Sequence, residues 1–388
     1  MKSTIAQTID LHAERFKAIS SFIGANPELG HEEFLASARL TEELESQGFH
    51  VERGILDIPT SFLATFDSGK PGPIIAFLAE YDALADLGHA CGHHLICMMS
   101  IGAAVGLKSV IAETGGTIRV YGTPAEETSG AKVPMAAAGL FKDVDIALMA
   151  HPYYTFEKSG ESLAMDAIQY EFLGRSAHAA AQPYEGVNAL DAVLQLFNSI
   201  NALRQQVKSD ARIHGIISEG GKAPNIIPDY AVAQFYIRSA TRTYTNELVQ
   251  KVLRCAEGAA LQTGCTLKTS NYEFSYDELR TNETLSSVFT NNLFDMGVQP
   301  EEIEVGKDHG SLDLGNVSIQ CPTIHPYIKV VDEKHLLHTK EFRDLAMQDR
   351  ALDSMIFAAK ALAYTAYDVL ANPELLQQIK AEFAAKVK

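Results

Sequence analysis

This chain of 388 residues has no cation-rich balance to offer a polyanion: 32 Lys and Arg stand against 49 Asp and Glu, for a formal net charge of -17. Binding a nucleic-acid backbone needs clustered Lys and Arg that release counterions, so the composition argues against that partner, and the acidic excess serves solubility. Cysteine is scarce. Cys91, Cys97, Cys255, Cys265 and Cys321 are odd in number and show no CxxC spacing, which disfavours a disulfide framework or a zinc ribbon and fits a reducing compartment. No charge-free apolar run reaches the roughly 18–20 residues that span a bilayer. The first twenty residues, MKSTIAQTIDLHAERFKAIS, interleave charges with isolated apolar positions and offer no h-region or small-residue cleavage site. A cytoplasmic protein without a membrane partner is the expectation. Low-complexity segments, internal repeats and long Pro/Gly/Ser-rich linkers are also missing.

What the chain does contain is ample apolar content, 46% hydrophobic against 21% charged, at a length that suggests two domains. Pro73–Ala79 reads as a buried strand, His94–Glu113 as a helix and Thr117–Tyr121 as the next strand, a βαβ order; Val144–Ala150 repeats the strand signal and Asp349–Leu370 is strongly helical. Such alternation favours an α/β fold, a mostly parallel sheet covered by helices. Ligands of these sheets collect beyond the carboxyl ends of the strands. Between about Leu163 and Tyr272 the texture changes to strand, helix, strand, helix: alternation over Leu163–Phe172, an amphipathic helix over Asn188–Val207, alternation over Asp229–Ile237 and a helix over Tyr244–Thr263. Because candidate ligands resume at His325, His335 and His338, residues 165–273 are expected to form an α+β unit inserted into a domain made of residues 1–164 and 274–388.

Three clusters sit where the sheet reading puts a ligand edge. In His89-Ala90-Cys91-Gly92-His93-His94, a thiolate and an imidazole flank a glycine at a helix entry, where the helix dipole favours an ionised thiol and Gly92 lets the backbone bend. Taken alone, the triplet reads sooner as a packed turn than as a metal site. In Glu126-Glu127, neighbouring turn residues can point apart, so one carboxylate holds a metal while the other takes a proton from water; alone, it is a solvated charge pair. His151-Pro152 closes an apolar strand, where a hydrogen-bonded strand-end histidine is the plain alternative. The three together would need independent coincidences at one edge. His89 and His94 are read as hydrogen-bonding the ligating groups.

The segments Ala79-Glu-Tyr-Asp-Ala83, Gly88–His93, Pro124–Glu127, Ser176–Ala179 with Pro183 and Asn188–Leu190, Asn225–Pro228 and His338-Thr339 resemble, in order and over nearly the whole chain, the M20 metallopeptidase/amidohydrolase family. Within it they are most similar to the branch of aminobenzoyl-glutamate hydrolases, M20-domain dipeptidases and auxin-conjugate hydrolases. The resemblance implies a di-zinc catalytic domain with an inserted satellite domain that carries a homodimer contact. It implies Cys91 as the bridging ligand, where the wider family has aspartate, with His93, Glu127, His151 and His338 as further ligands of two divalent ions, a Zn²⁺ pair first, with Mn²⁺ and Co²⁺ as alternatives. Glu126 matches the general base and Asp82 the aspartate that orients the site. The wider family's histidine ligand two residues before Asp82 is Glu80 here, a departure for which His93 compensates.

From the satellite domain the resemblance implies that His178 stabilises an oxyanion in the partner subunit and that Asn225 and Arg238 hold the substrate, Arg238 through its bidentate fork. Plain alternatives are a surface ion pair for Arg238 and an Asx-type turn for Asn225. His94 and Cys97 depart from the family pattern, and the Lys307–Asn316 loop with His309 resembles a cleft lining. The implied reaction is hydrolysis of a small amide with a free carboxylate, a dipeptide or N-acyl amino acid. Two other classes stand beside it: a cysteine hydrolase using Cys91 and His93, and a catalytically inactive binding protein on the same fold.

Overall fold

A computed structural model describes residues 1–306 and 310–386. Contacts divide the chain into two compact units: Met1–Glu161 with most of the chain from Leu279 onward, and Ser162–Glu278 with Gly310–Leu312. The first unit is built on a six-stranded sheet in the order His50–Arg53, Phe62–Asp67, Thr117–Gly122, Ile74–Ala79, Ile146–Leu148, Thr323–Ile324. The last four strands run parallel, Ile74 pairing with Thr117, Ile75 with Ile146 and Thr323 with Ala147. The first two are antiparallel additions at one edge. Their sequences explain the division: Ile74–Ala79 is buried almost throughout, as a strand covered on both faces must be, whereas Phe62–Asp67 alternates and keeps one face partly open.

The expected βαβ unit is present, with the crossover helix at His93–Thr114. This is the one helix among the described residues long and apolar enough to cross a membrane by length and composition, and 83% of its apolar window is buried inside the protein. It is buried all round because the Lys2–Ala25 and Asp349–Ala371 helices pack against it on the sheet. The interleaved charges of the first twenty residues are the outer face of that first helix, whose Ile5, Ile9, Phe16, Ile19 and Ile23 are buried at helical spacing. His151 does not close the Ile146–Leu148 strand. It opens a separate one, His151–Tyr153, that pairs in parallel with Tyr327–Lys329 in a second, four-stranded sheet. The hydrogen-bond ladder changes partner there, which an apolar run cannot reveal.

The second unit is a four-stranded antiparallel sheet ordered Thr266–Asn271, Ala164–Leu173, Tyr230–Ser239, Arg212–Glu219, with the Ala189–Leu203 and Arg242–Thr263 helices packed on it. Its own core includes Tyr170, Phe172, Leu196, Phe235, Leu248 and Val252. The two outer strands escaped the sequence reading because they carry almost no buried residues: Arg212–Glu219 buries Ile213 alone, and Thr266–Asn271 buries none. The amphipathic helix turns Ala189, Ala192, Val193, Leu196 and Ile200 into this core and so covers its own sheet. Asn188 is its N-cap rather than its first residue, Oδ1 accepting the amides of Leu190 at 3.0 Å and Asp191 at 3.4 Å. Removing that cap costs about 1 kcal/mol locally. Asn188→Ala is therefore expected to speed hydrogen exchange at the Leu190 and Asp191 amides roughly fivefold, and Asn188→Ser to restore it.

Candidate metal centre

Two parallel strands and a helix entry deliver most of the site. Ile74–Ala79 runs into Glu80, Tyr81 and Asp82; the chain then loops to Cys91 and enters the His93–Thr114 helix; Thr117–Gly122 runs into Pro124 to Glu127. Gly92 makes the helix entry sharp, with φ +79, and a Cβ there would stand 2.6 Å from Pro152 Cγ. Its bare backbone lets the Cys91 turn lie on Pro152, beside His151. Cys91 Sγ is 3.4 Å from His151 Nε2. Donor atoms of Cys91, His93 and His151 lie within 4.8 Å of one another, as do those of Cys91, Glu127 and His338, and of His93, Glu126 and Glu127. Ligands of one tetrahedral ion at bond lengths of about 2.0–2.3 Å are separated by roughly 3–4 Å, so these groups have the spacing of metal shells, with Cys91 common to two of them.

The donor atoms point the right way. Asp82 is fully buried; its Oδ1 accepts from His93 Nδ1 at 2.9 Å and its Oδ2 from the Glu127 amide at 2.9 Å. A carboxylate only accepts, so His93 carries a proton on Nδ1 and turns Nε2 inward, towards the Glu80, Glu126 and Glu127 carboxylates. His151 Nδ1 donates to the Pro152 carbonyl at 2.9 Å, which leaves Nε2 facing Cys91. His93 Nε2 and Glu127 Oε1 are buried without a hydrogen-bond partner, a costly state that a cation relieves. His338 is half exposed; Nε2 is 3.4 Å from Glu127 Oε1, and its amide donates to Ala90 O at 3.0 Å, tying its loop to the Cys91 loop. These donors fit a pair of divalent ions.

Glu126 Oε2 lies 4.0 Å from His93 Nε2, with its side chain 16% exposed. Ala125, just before it, has φ +65, a left-handed turn from which both Glu126 and Glu127 reach His93 Nε2, at 4.0 and 3.8 Å. That left-handed turn is clamped by Glu33, a buried residue the sequence reading passed over: Oε1 accepts the Ala125 amide at 2.9 Å and Oε2 the Thr60 hydroxyl at 2.8 Å. Lys132 and Asp313 were also missed. Lys132, with no exposed surface, holds Glu80 Oε1 and Asp313 Oδ1 at 2.6 Å each. Nothing in a lone lysine after Gly130-Ala131 announces burial, and Asp313 is remote in sequence.

Comparison with known proteins accords with this geometry. Residues 165–263 match a family model described as a peptidase dimerisation domain. The whole chain is 38% identical to the Xaa-Arg dipeptidase of Mus musculus, of which it covers 93%. The chain belongs to the M20 peptidase family. It is 30% identical to a p-aminobenzoyl-glutamate hydrolase polypeptide of Escherichia coli, over 97% of this chain and 94% of that one. Its fold matches an aminobenzoyl-glutamate utilization protein from Klebsiella pneumoniae (TM-score 0.70, 19% identity, 92% and 97% of the two chains) and a dinuclear metal-binding M20 peptidase from Bacillus subtilis (TM-score 0.64, 18% identity, 91% and 98%). As an M20 member it is a hydrolase of amide bonds.

Other sequence readings meet the M20 site differently. Burial, then the charge of Glu127, pushes the Cys91 thiol well up, so the helix entry alone does not ionise it and a metal-free cysteine nucleophile is disfavoured. His89 and His94 do not hydrogen-bond the ligating groups: His94 Nε2 donates to Ala346 O at 3.1 Å, both nitrogens of His89 lack a hydrogen-bond partner, and burial pushes both imidazoles down, His94 to about 4. Cys97 donates to His94 O at 3.3 Å, and burial lifts its thiol to about 12, a packing role. His325 is buried with its ring 5.4 Å from that of His151 but joins none of the ligand groups, and His335 sits 3.7 Å from Glu333. Lys307 to His309 lie outside the described residues.

In the inserted unit His178 is exposed, and its Nδ1 accepts the amides of Ala180 at 3.2 Å and Ala181 at 3.1 Å, which places the ring proton on Nε2. Asn225, also exposed, accepts the Ala179 amide on its backbone carbonyl at 3.0 Å and so braces the same loop. Arg238 lies on the Tyr230–Ser239 strand with its guanidinium 5.1 Å from the Tyr236 ring centroid.

Gly92→Ala, which forces a Cβ against Pro152, is expected to weaken Zn²⁺ binding tenfold or more in a chelator-competition titration; unchanged affinity would contradict the convergence of Cys91 and His151. Burial raises the Glu33 carboxyl to about 7. The native state therefore holds that proton more tightly than the unfolded chain, and stability falls as pH rises towards 7 and levels above it. Relative to wild type, metal-free Glu33→Gln should gain roughly 2–3 kcal/mol between pH 5 and pH 8, read as a divergence of urea-unfolding curves; parallel pH profiles would refute the assignment.

Proposed function

We propose that this M20 chain hydrolyses the amide bond of a small dipeptide or N-acyl amino acid with a free carboxylate, as a cytoplasmic homodimer using two divalent ions, Zn²⁺ before Mn²⁺ or Co²⁺. The observation that carries the reading is the convergence of Cys91, His93, Glu127, His151 and His338 around His93 Nε2 and Glu127 Oε1, both buried and without a hydrogen bond, with Glu126 beside them. The substrate class draws support from two full-length relatives, one named for Xaa-Arg dipeptides and one for p-aminobenzoyl-glutamate. Residues 1–164 and 274–388 are assigned to catalysis and 165–273 to dimerisation, in keeping with the family match at 165–263.

When bound, the ions polarise the amide carbonyl and acidify water. The protein supplies the rest. Glu126 takes the proton of the attacking water and passes it to the amine nitrogen as the C–N bond breaks. Burial, then the charges of Glu80, Glu127 and Asp313, holds its carboxyl well above the usual range, which suits a group that must return the proton. Asp82 keeps His93 and the Glu127 backbone in place. His178, from a partner copy, is assigned the oxyanion through its Nε2–H, and Asn225 and Arg238 the substrate's carboxyl end. A full ligand set speaks against the inactive binding protein.

Two measurements test this. Glu126→Gln is expected to keep its metal content while kcat falls by about 10²–10⁴-fold; near-normal turnover would remove Glu126 as the base. A mass-spectrometric cleavage screen of dipeptides ending in Arg, Glu or an aromatic residue, and of N-acyl amino acids, should show chelator-sensitive cleavage of one subset. Chelator-insensitive turnover would overturn the metal reading.

A further inference from the structure

Glu80 presents a puzzle. It is buried at the carboxyl end of the central Ile74–Ala79 strand, one oxygen 3.6 Å from His93 Nε2, and its carboxylate lies with those of Glu126 and Asp313 within the 4.8 Å span of a cation site. Carboxylates gathered out of water need a counter-cation. Here one is built in. Lys132 Nζ stands 2.6 Å from Glu80 Oε1 and from Asp313 Oδ1, and the Lys132 amide donates to Asp313 Oδ2 at 3.2 Å. The chain is shaped to allow it: a Cβ on Gly130 would stand 2.3 Å from Asp313 Oδ2, so the bare glycine is what lets Asp313 reach the lysine. A lysine with no exposed surface, its ammonium bonded to two buried carboxylates, has no role in packing that an apolar side chain would not fill at less cost.

We propose that Lys132 is the resident cation of the Glu80, Asp313 and Glu126 group, and that it holds Glu80 out of the metal ligand set and a divalent ion out of this group. The inference rests on the metal centre proposed above and concerns which acids that centre leaves alone. Lys132 acts here as a positioning residue. It fixes the side chain that departs from the wider family's ligand pattern and confines divalent ions to the shells around Cys91.

The test is bound metal per chain, by elemental analysis after dialysis against Zn²⁺ and then metal-free buffer, on folded protein. Glu80→Gln leaves the Lys132–Asp313 pair intact and is expected to hold as much Zn²⁺ as wild type; loss of an ion would make Glu80 a ligand and overturn the proposal. Lys132→Ser is expected to gain about one further equivalent, which Glu80→Gln in the same chain removes, while Lys132→Arg stays at the wild-type content. A Lys132→Ser protein with unchanged metal content also overturns it. Should Lys132→Ser not fold, the Glu80→Gln arm decides. Wild type without bound Zn²⁺ would instead sink the metal centre itself, and with it this inference.

Discussion

Negative charge buried at the carboxyl edge of the central sheet is the constraint on which the rest of this structure turns. Asp82, Glu80 and Asp313 are buried, and Glu126 and Glu127 nearly so, in surroundings where an unanswered carboxylate is expensive. Four of them have identified partners. Asp82 is met by the His93 ring and the Glu127 amide, Glu80 and Asp313 by the Lys132 ammonium, and Glu127 only in part, by His338. The remainder, with the Cys91 thiol and two inward imidazole nitrogens, is a cavity of donors that a pair of divalent ions would complete. Function and electrostatic balance are then the same problem solved at one place.

Holding those donors together demands backbone conformations that ordinary residues avoid. Ala125 and His338 both have positive φ, and both sit within or beside the ligand loops. Such residues cost on the order of 1–3 kcal/mol and persist only where the surroundings over-determine them. For Ala125 the surroundings are Glu33 and the close approach of Gly30, whose missing Cβ would meet Ala125 Cβ at 2.8 Å. For His338 it is the hydrogen bond to Ala90. Strain is thus concentrated where adjacent residues bring two carboxylates to His93 and where a distant loop brings one imidazole to Glu127.

The sequence made the parallel core and the candidate ligand residues legible because both leave local marks: continuous apolar runs for strands buried on two faces, and Cys-Gly-His or Glu-Glu at their ends. Apolar periodicity also marked the two helices of the inserted unit, though not the Asn188 cap. What it could not show was built from long-range pairing. The Arg212–Glu219 and Thr266–Asn271 strands carry almost no buried residues, so their pattern resembles loop; the switch of ladder partner at His151 leaves no mark in an apolar run. Lys132, Asp313 and Glu33 are ordinary charged residues whose importance arises only when the fold buries them. The burial and the Glu127 charge that push the Cys91 thiol up likewise arise only once the chain has folded.

The position of the bound ions decides between these assignments. Crystals of the Zn²⁺-loaded protein measured on both sides of the zinc absorption edge would locate them directly. Two anomalous peaks enclosed by Cys91, His93, Glu127, His151 and His338, with none between Glu80 and Asp313, is the predicted result. No peak among those five residues, or one beside Glu80 in the place of the Lys132 ammonium, would contradict it.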